Sequence, residues 1–323
     1  MLYHFDTVYK FDCELQHVKQ ISLLLLPVYC CVCVDPNSSS PTAIRVIPKG
    51  EIVGGVTSLG DDVFVVRVKS QQKIEVYDAK NLDFTLQRHV TVPGLGNYCL
   101  GLVACSSNNC LYASECNNNS VHRVELSGSN DVMNWSVARY PAGLSVNSEH
   151  NLLVISQSER KVQIFTTRGT LLQDIQLWAD VGGPWHAIQL PTGQFLVSLS
   201  GILDRICLVG VDGAVVHNYG GWKGSKLTQM HHPRGFAVDR EGRVLVADVG
   251  NNRLLAIDES LSSACEMSLC VDGGLQGPRS LWYDQSCRRL YIGEMYGGRV
   301  IVIDNLKDFS SRNYSFCVSS TVA

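Results

Sequence analysis

Five cations occupy one recurring place in this chain and are the first sign of chemistry. Lys73, Lys161, Arg205, Arg253 and Arg299 each open a short alternating segment, reading KIEVYD, KVQIFT, RICLVG, RLLAID and RVIVID. Cations repeated in register suit an anionic ligand held on one face. An acid closing the preceding apolar segment suits an internal ion pair instead, as Asp248 does for Arg253 and Glu294 for Arg299. Lys73, Lys161 and Arg205 have weaker acidic partners in sequence and are expected to stay available. A second group, Trp185, Arg234 and Arg279, sits where one repeat enters the next. A tryptophan flanked by arginines is the makeup of a protein hot spot and of a base-stacking platform alike. The bland alternative has Trp185 packing inward.

Catalytic and metal chemistry find less support. His186 stands where sister repeats carry glycine, and a packed, hydrogen-bonded histidine is the favoured reading over a ligand. His231 and His232 are adjacent, and adjacent residues rarely chelate one ion. Cys13, His17, Cys30 and Cys33 offer two half-sites for zinc, but the leucine run between them suits no finger. No nucleophile elbow or phosphate-binding glycine loop appears. The expectation is a non-enzymatic chain with no catalytic residues, no metal and no cofactor.

These residues are positioned by a repeat. Residues 233–258, PRGFAVDREGRVLVADVGNNRLLAID, recur as PRSLWYDQSCRRLYIGEMYGGRVIVID from Pro278 and as PAGLSVNSEHNLLVISQSERKVQIFT from Pro141. Further units begin near Val56, Gly101 and Pro184, which makes six with a period near 45 residues. Each reads as three apolar strands separated by polar turns, followed by a more polar fourth strand. Six four-stranded antiparallel units predict an all-β, six-bladed β-propeller. The last unit ends after its third strand near Asp304, while residues 44–53, IRVIPKGEIV, form a strand with no unit of their own. Closure is therefore expected to be 3+1, the N-terminal strand completing the last blade and removing an open edge. The domains are a hydrophobic, cysteine-containing leader over 1–40, the propeller over 41–306 and a tail over 307–323.

The run ending VLVADVGNNRLLAID resembles the NHL repeat, with its Pro-x-Gly entry, Val-x-Val-Ala-Asp strand and Asn-Asn-Arg loop. The resemblance spans about residues 44–306 and is to the C-terminal propeller of tripartite-motif (TRIM-NHL) proteins. It implies a recognition module whose top face binds protein or RNA, attached in that family to RING, B-box and coiled-coil modules that give ubiquitin-ligase activity. None of those modules is evident in the leader. A protein-interaction scaffold is thus expected, and the resemblance implies that it serves as the substrate-recognition part of such a ligase. Single-stranded RNA binding is the alternative, and a propeller hydrolase or lyase a minor one.

Composition agrees with an ordered, turn-rich protein, at 45% hydrophobic and 18% charged residues with 28 glycines in 323. A net charge of -3 supplies no global pull on polyanions, which argues against DNA. The expected partner is a protein, with RNA second, no membrane, and the propeller monomeric. Thirteen cysteines lack the regular spacing of a disulfide framework, and Cys105, Cys110 and Cys116 read as buried thiols. The apolar run over 21–34 is short for a membrane span and lacks a cleavage site, so a cytoplasmic location is expected, with secretion the alternative.

Overall fold

The computed structural model describes residues 29–31, 44–47, 50–69, 72–80, 84–128, 131–178, 182–269 and 271–306. Cys13, His17 and Cys33, and with them the zinc reading, lie outside these residues, as do most of the leader and the 307–323 tail.

Six antiparallel sheets follow one another along the chain, each running from an innermost strand outward. Their innermost strands are Val53–Leu59, Cys99–Cys105, Pro141–Val146, Gly183–Gln189, Pro233–Val238 and Pro278–Asp284, and they define blades 1 to 6. In the sixth blade the outermost place is taken by Ile44–Ile47, which pairs antiparallel with Val300–Ile303. That is the expected 3+1 closure, with one refinement. The segment 44–53 splits, and its last residue, Val53, opens the innermost strand of blade 1. Blade 5 carries a fifth strand, Tyr29–Cys31, running parallel to its outer strand Ala264–Ser268.

The near-continuous apolar runs of the second and third strands have a simple cause. Alternate side chains leave opposite faces of a strand, and each of these strands has a neighbouring blade on both faces. Val244 and Val246 enter the core shared with blade 4, while Leu245 and Ala247 enter the core shared with blade 6. Six such clusters fill the six seams between neighbouring blades. Outer strands carry one buried residue among exposed ones, as Leu86–Thr91 and Leu171–Gln176 do, because solvent covers one side. Cys99, Cys105, Cys110 and Cys207 are buried within these seams, and Cys116 is buried as well.

Candidate functional site: the mouth of the central channel

The Pro-x-Gly entry sets the geometry of the channel. In all six blades the innermost strand is bulged at this place, between Val53 and Gly55, Cys99 and Leu102, Pro141 and Leu144, Pro184 and His186, Pro233 and Phe236, and Pro278 and Ser280. A bulge re-aims the side chain it carries. Glycine at the third position lets the next blade's backbone approach: a Cβ on Gly143 would lie 2.5 Å from the Trp185 carbonyl oxygen, and one on Gly235 equally close to that of Arg279. The middle position then places Gly54, Leu100, Trp185, Arg234 and Arg279 around the channel's end, while Ala142 packs into the seam of blades 3 and 4.

Two blades lack that glycine, and both fill its place with a polar side chain bonded to the next strand. Ser280 Oγ accepts the Val56 N–H at 3.1 Å. The His186 ring lies 3.1 Å through Nε2 from the Leu144 carbonyl oxygen and 3.4 Å through Nδ1 from the Phe236 nitrogen. The tautomer that satisfies both is neutral, Nε2–H donating and Nδ1 accepting. Burial pushes its pKa down to about 4, so the ring stays uncharged at neutral pH. His186 also packs edge-on against Phe236 at 4.8 Å between ring centres. It ties three innermost strands together. Leu102, Leu144, His186 and Leu281 line both the small funnel at the entry end and the larger cavity beyond it, and so form the waist of the channel.

The repeated cations do something different from what the sequence suggested for two of them, Lys161 and Arg205. Arg253 is 7% exposed. Its Nε donates to Asp248 at 2.8 Å, one terminal nitrogen reaches Ser225 O and Glu266, and the other reaches the carbonyls of Lys226 and Gln229. Arg299 holds Glu294 with two parallel bonds of 2.7 and 2.8 Å and donates to the carbonyls of Asp272 and Gly274. Each acid in turn accepts an N–H from its own blade's entry loop, Asp248 from His231 and Glu294 from Gln276. These pairs lock the loops that join blades, and the internal reading of Arg253 and Arg299 is the observed one.

Lys161 is a correction. Its ammonium lies 2.8 Å from Asp174 and 3.8 Å from Glu159, and Asp174 comes from the neighbouring outer strand, where no local sequence pattern reveals it. Arg205 is buried, inside the third strand Leu203–Val209, and is not a surface group. Only Lys73 is exposed.

The asparagines of the Asn-Asn-Arg loop are equally structural. Asn251 donates to Asp248 and to the Gly224 carbonyl. Asn252 takes φ 53°, a left-handed conformation that asparagine tolerates, and its Oδ1 accepts the Gly277 N–H of the next blade. Asn119, at φ 49°, repeats the bond with Tyr140 N–H.

Trp185, Arg234 and Arg279 are brought together. Trp185 is half-buried and packs against the seam of blades 3 and 4. The Arg234 guanidinium stands 4.1 Å over its ring and that of Arg279 5.8 Å away. Burial lowers the pKa of Arg234, and it lowers that of Arg279 to about 10, with the Arg234 charge adding to the effect. Both remain cations at neutral pH. Tyr140 and Tyr296, residues the sequence reading passed over, stand beside Arg234 at the exposed rim. No carboxylate is among the residues lining the funnel.

With this geometry in hand, known proteins give a consistent comparison. The NHL repeat model matches residues 230–257, the whole of the entry, second strand and third strand of blade 5. "Protein brain tumor" of Drosophila melanogaster is 24% identical over 128 residues, an alignment covering 37% of this chain and 12% of that protein. Among solved structures, a streptogramin B lyase superposes with a TM-score of 0.60 at 12% identity, over 81% of this chain and 97% of that one. Virginiamycin B lyase from Staphylococcus aureus does so at 0.59 and 10% identity, over 82% and 99%. A Bacteroides thetaiotaomicron protein of unknown function gives 0.63 at 13% identity, over 86% and 74%. At these identities the likeness is one of fold. The class is thus a six-bladed β-propeller, and within it the chain carries an NHL repeat and resembles the TRIM-NHL propellers.

Proposed function

We propose that this propeller is a non-catalytic scaffold that recognises a protein partner at the mouth of its central channel, acting in the cytoplasm as a monomer. The observation that carries the reading is the cluster of Trp185, Arg234 and Arg279 at the funnel, rimmed by Tyr140 and Tyr296. Tryptophan, tyrosine and arginine in a recessed pocket are the residue types that dominate binding energy at protein interfaces. His186, the titratable side chain nearest the channel waist, has both nitrogens engaged and serves the scaffold. By likeness to the tripartite-motif proteins, the same face would select substrates for a ubiquitin ligase.

RNA is the second reading, favoured by Arg234 stacked on Trp185, a platform that could also take a base. Against it, a phosphate backbone needs a track of free cations, and Lys161, Arg253 and Arg299 are engaged internally. Affinity capture with and without ribonuclease separates the two. Partners that survive ribonuclease and are lost in Trp185→Ala/Arg234→Ala support the scaffold. Partners lost only with the RNA overturn it.

A further inference from the structure

The contact that Arg279 makes among the described residues is with the Trp185 ring, 5.8 Å from its guanidinium carbon. Arg279 is 6% exposed, yet among the described residues it has no hydrogen bond and no ion pair. Its nearest charged neighbour is another guanidinium, Arg234, whose terminal nitrogen meets only the Met295 sulfur at 3.2 Å and whose Nε is buried without a partner. After Arg234, the groups that act most strongly on Arg279 are Cys116, Cys99 and Tyr140, and the buried Glu115 lies beside both thiols without lining the funnel. Burial pushes both thiols up, that of Cys116 to about 12, so neither supplies a negative charge at neutral pH. Two like charges therefore converge on a funnel without acids. Buried charges in folded proteins are ordinarily paired, as the buried Arg67 and Arg253 are with Glu75 and Asp248.

We infer that the funnel is a recessed site for a single carboxylate, an aspartate or glutamate side chain of a protein partner, gripped by Arg279 and Arg234 with Trp185 as its apolar wall. This rests on the scaffold reading above and specifies its chemistry. The planar fork of a guanidinium matches a carboxylate with two parallel bonds, as Arg299 and Glu294 demonstrate within this same chain. A point anion is favoured over a nucleic-acid backbone because the arginines lie inside the funnel, while the paired cations around it leave no continuous basic track. Gly54, Gly101, Gly143 and Gly235 also line the funnel, each packed against backbone of the adjoining strand, so that side chains enter it chiefly from Trp185, Arg234, Arg279 and the leucines.

The test uses the full chain and a capped Gly-Glu-Gly tripeptide, with Gly-Gln-Gly, the phosphoserine equivalent and oligouridylate as separate arms. The Trp185 indole N–H resonance, assigned by its loss in Trp185→Phe, reports binding. Saturable perturbation by the glutamate peptide, at least tenfold tighter than by the glutamine peptide, is expected. Arg279→Met should abolish it and, having removed an unpaired buried charge, should raise the melting temperature. Arg279→Lys keeps the charge without the fork and should weaken binding severalfold. Equal affinity for the glutamate and glutamine peptides overturns the site, as does binding that survives Arg279→Met, or Arg279-dependent binding by the phosphoserine peptide or oligouridylate alone. A lower melting temperature in Arg279→Met also counts against it, because Arg279 would then be a structural brace. Should ribonuclease-resistant partners persist in Arg279→Met, the carboxylate site falls while the scaffold stands. Loss of every partner on ribonuclease treatment removes the scaffold itself.

Discussion

Replacing Arg253 by methionine should unfold this propeller far more easily than replacing any exposed cation. Asp248 is 0% exposed and burial already raises its carboxyl pKa. Without the 2.8 Å bond from Arg253 its charge keeps only Asn251 and the His231 N–H as partners. Removing one member of a buried ion pair costs about 3–5 kcal/mol. The carbonyls of Ser225, Lys226 and Gln229 also lose their donor, but they lie in a partly exposed loop where water can replace it. For a chain of this size each kcal/mol lowers the melting temperature by roughly 2–4 °C, so a fall on the order of 10 °C is expected. Adding Asp248→Asn removes the stranded charge while keeping an acceptor for His231 N–H. The double variant should therefore recover about half of the loss. Thermal and urea unfolding followed by circular dichroism at pH 7 measure both. A cost below about 1 kcal/mol for Arg253→Met, or a double variant that loses the sum of the two single changes, would refute the claim that this cation is a brace.

Two other outcomes follow from the same geometry. The folded pKa of His186 lies near 4, below the unfolded value, so the unfolded chain binds a proton first as pH falls. Its contribution is complete above about pH 6.5 and is lost between there and about pH 4, a loss on the order of 3 kcal/mol that His186→Asn should largely abolish in pH-dependent unfolding. Ile47, 0% exposed in the closing strand, packs in the seam of blades 6 and 1, and Ile47→Ala should cost about 2–4 kcal/mol by urea unfolding. No loss there would mean that Ile44–Ile47 does not close the ring.

What could be read from the sequence divides along physical lines. The blade register was legible because Pro-x-Gly entries and alternating strands recur locally, and register alone put Trp185, Arg234 and Arg279 on one face; their meeting at the channel mouth is seen only in the folded ring. Arg253 and Arg299 were readable as pairs because their acids lie five residues away. Lys161 was not, since Asp174 reaches it from an adjacent strand. Nor could the carbonyls that Arg253 collects be seen, because backbone acceptors leave no trace in residue types. Ser280 was overlooked although the signal existed: it replaces the entry glycine, as His186 does. The parallel strand Tyr29–Cys31 had no repeat to announce it. The unpaired state of Arg279 depends on what surrounds it in space, which only the folded ring reveals.

The channel mouth, and not the ring of repeated cations, is the proposed meeting place of this protein with its partner. Crosslinking mass spectrometry on ribonuclease-treated complexes of the full chain tests it most directly. Contacts should gather around Trp185, Arg234, Arg279, Tyr140 and Tyr296 and disappear in Trp185→Ala/Arg234→Ala. Contacts confined to the outer strands Leu86–Thr91 and Leu171–Gln176, unchanged by that double variant, would contradict it.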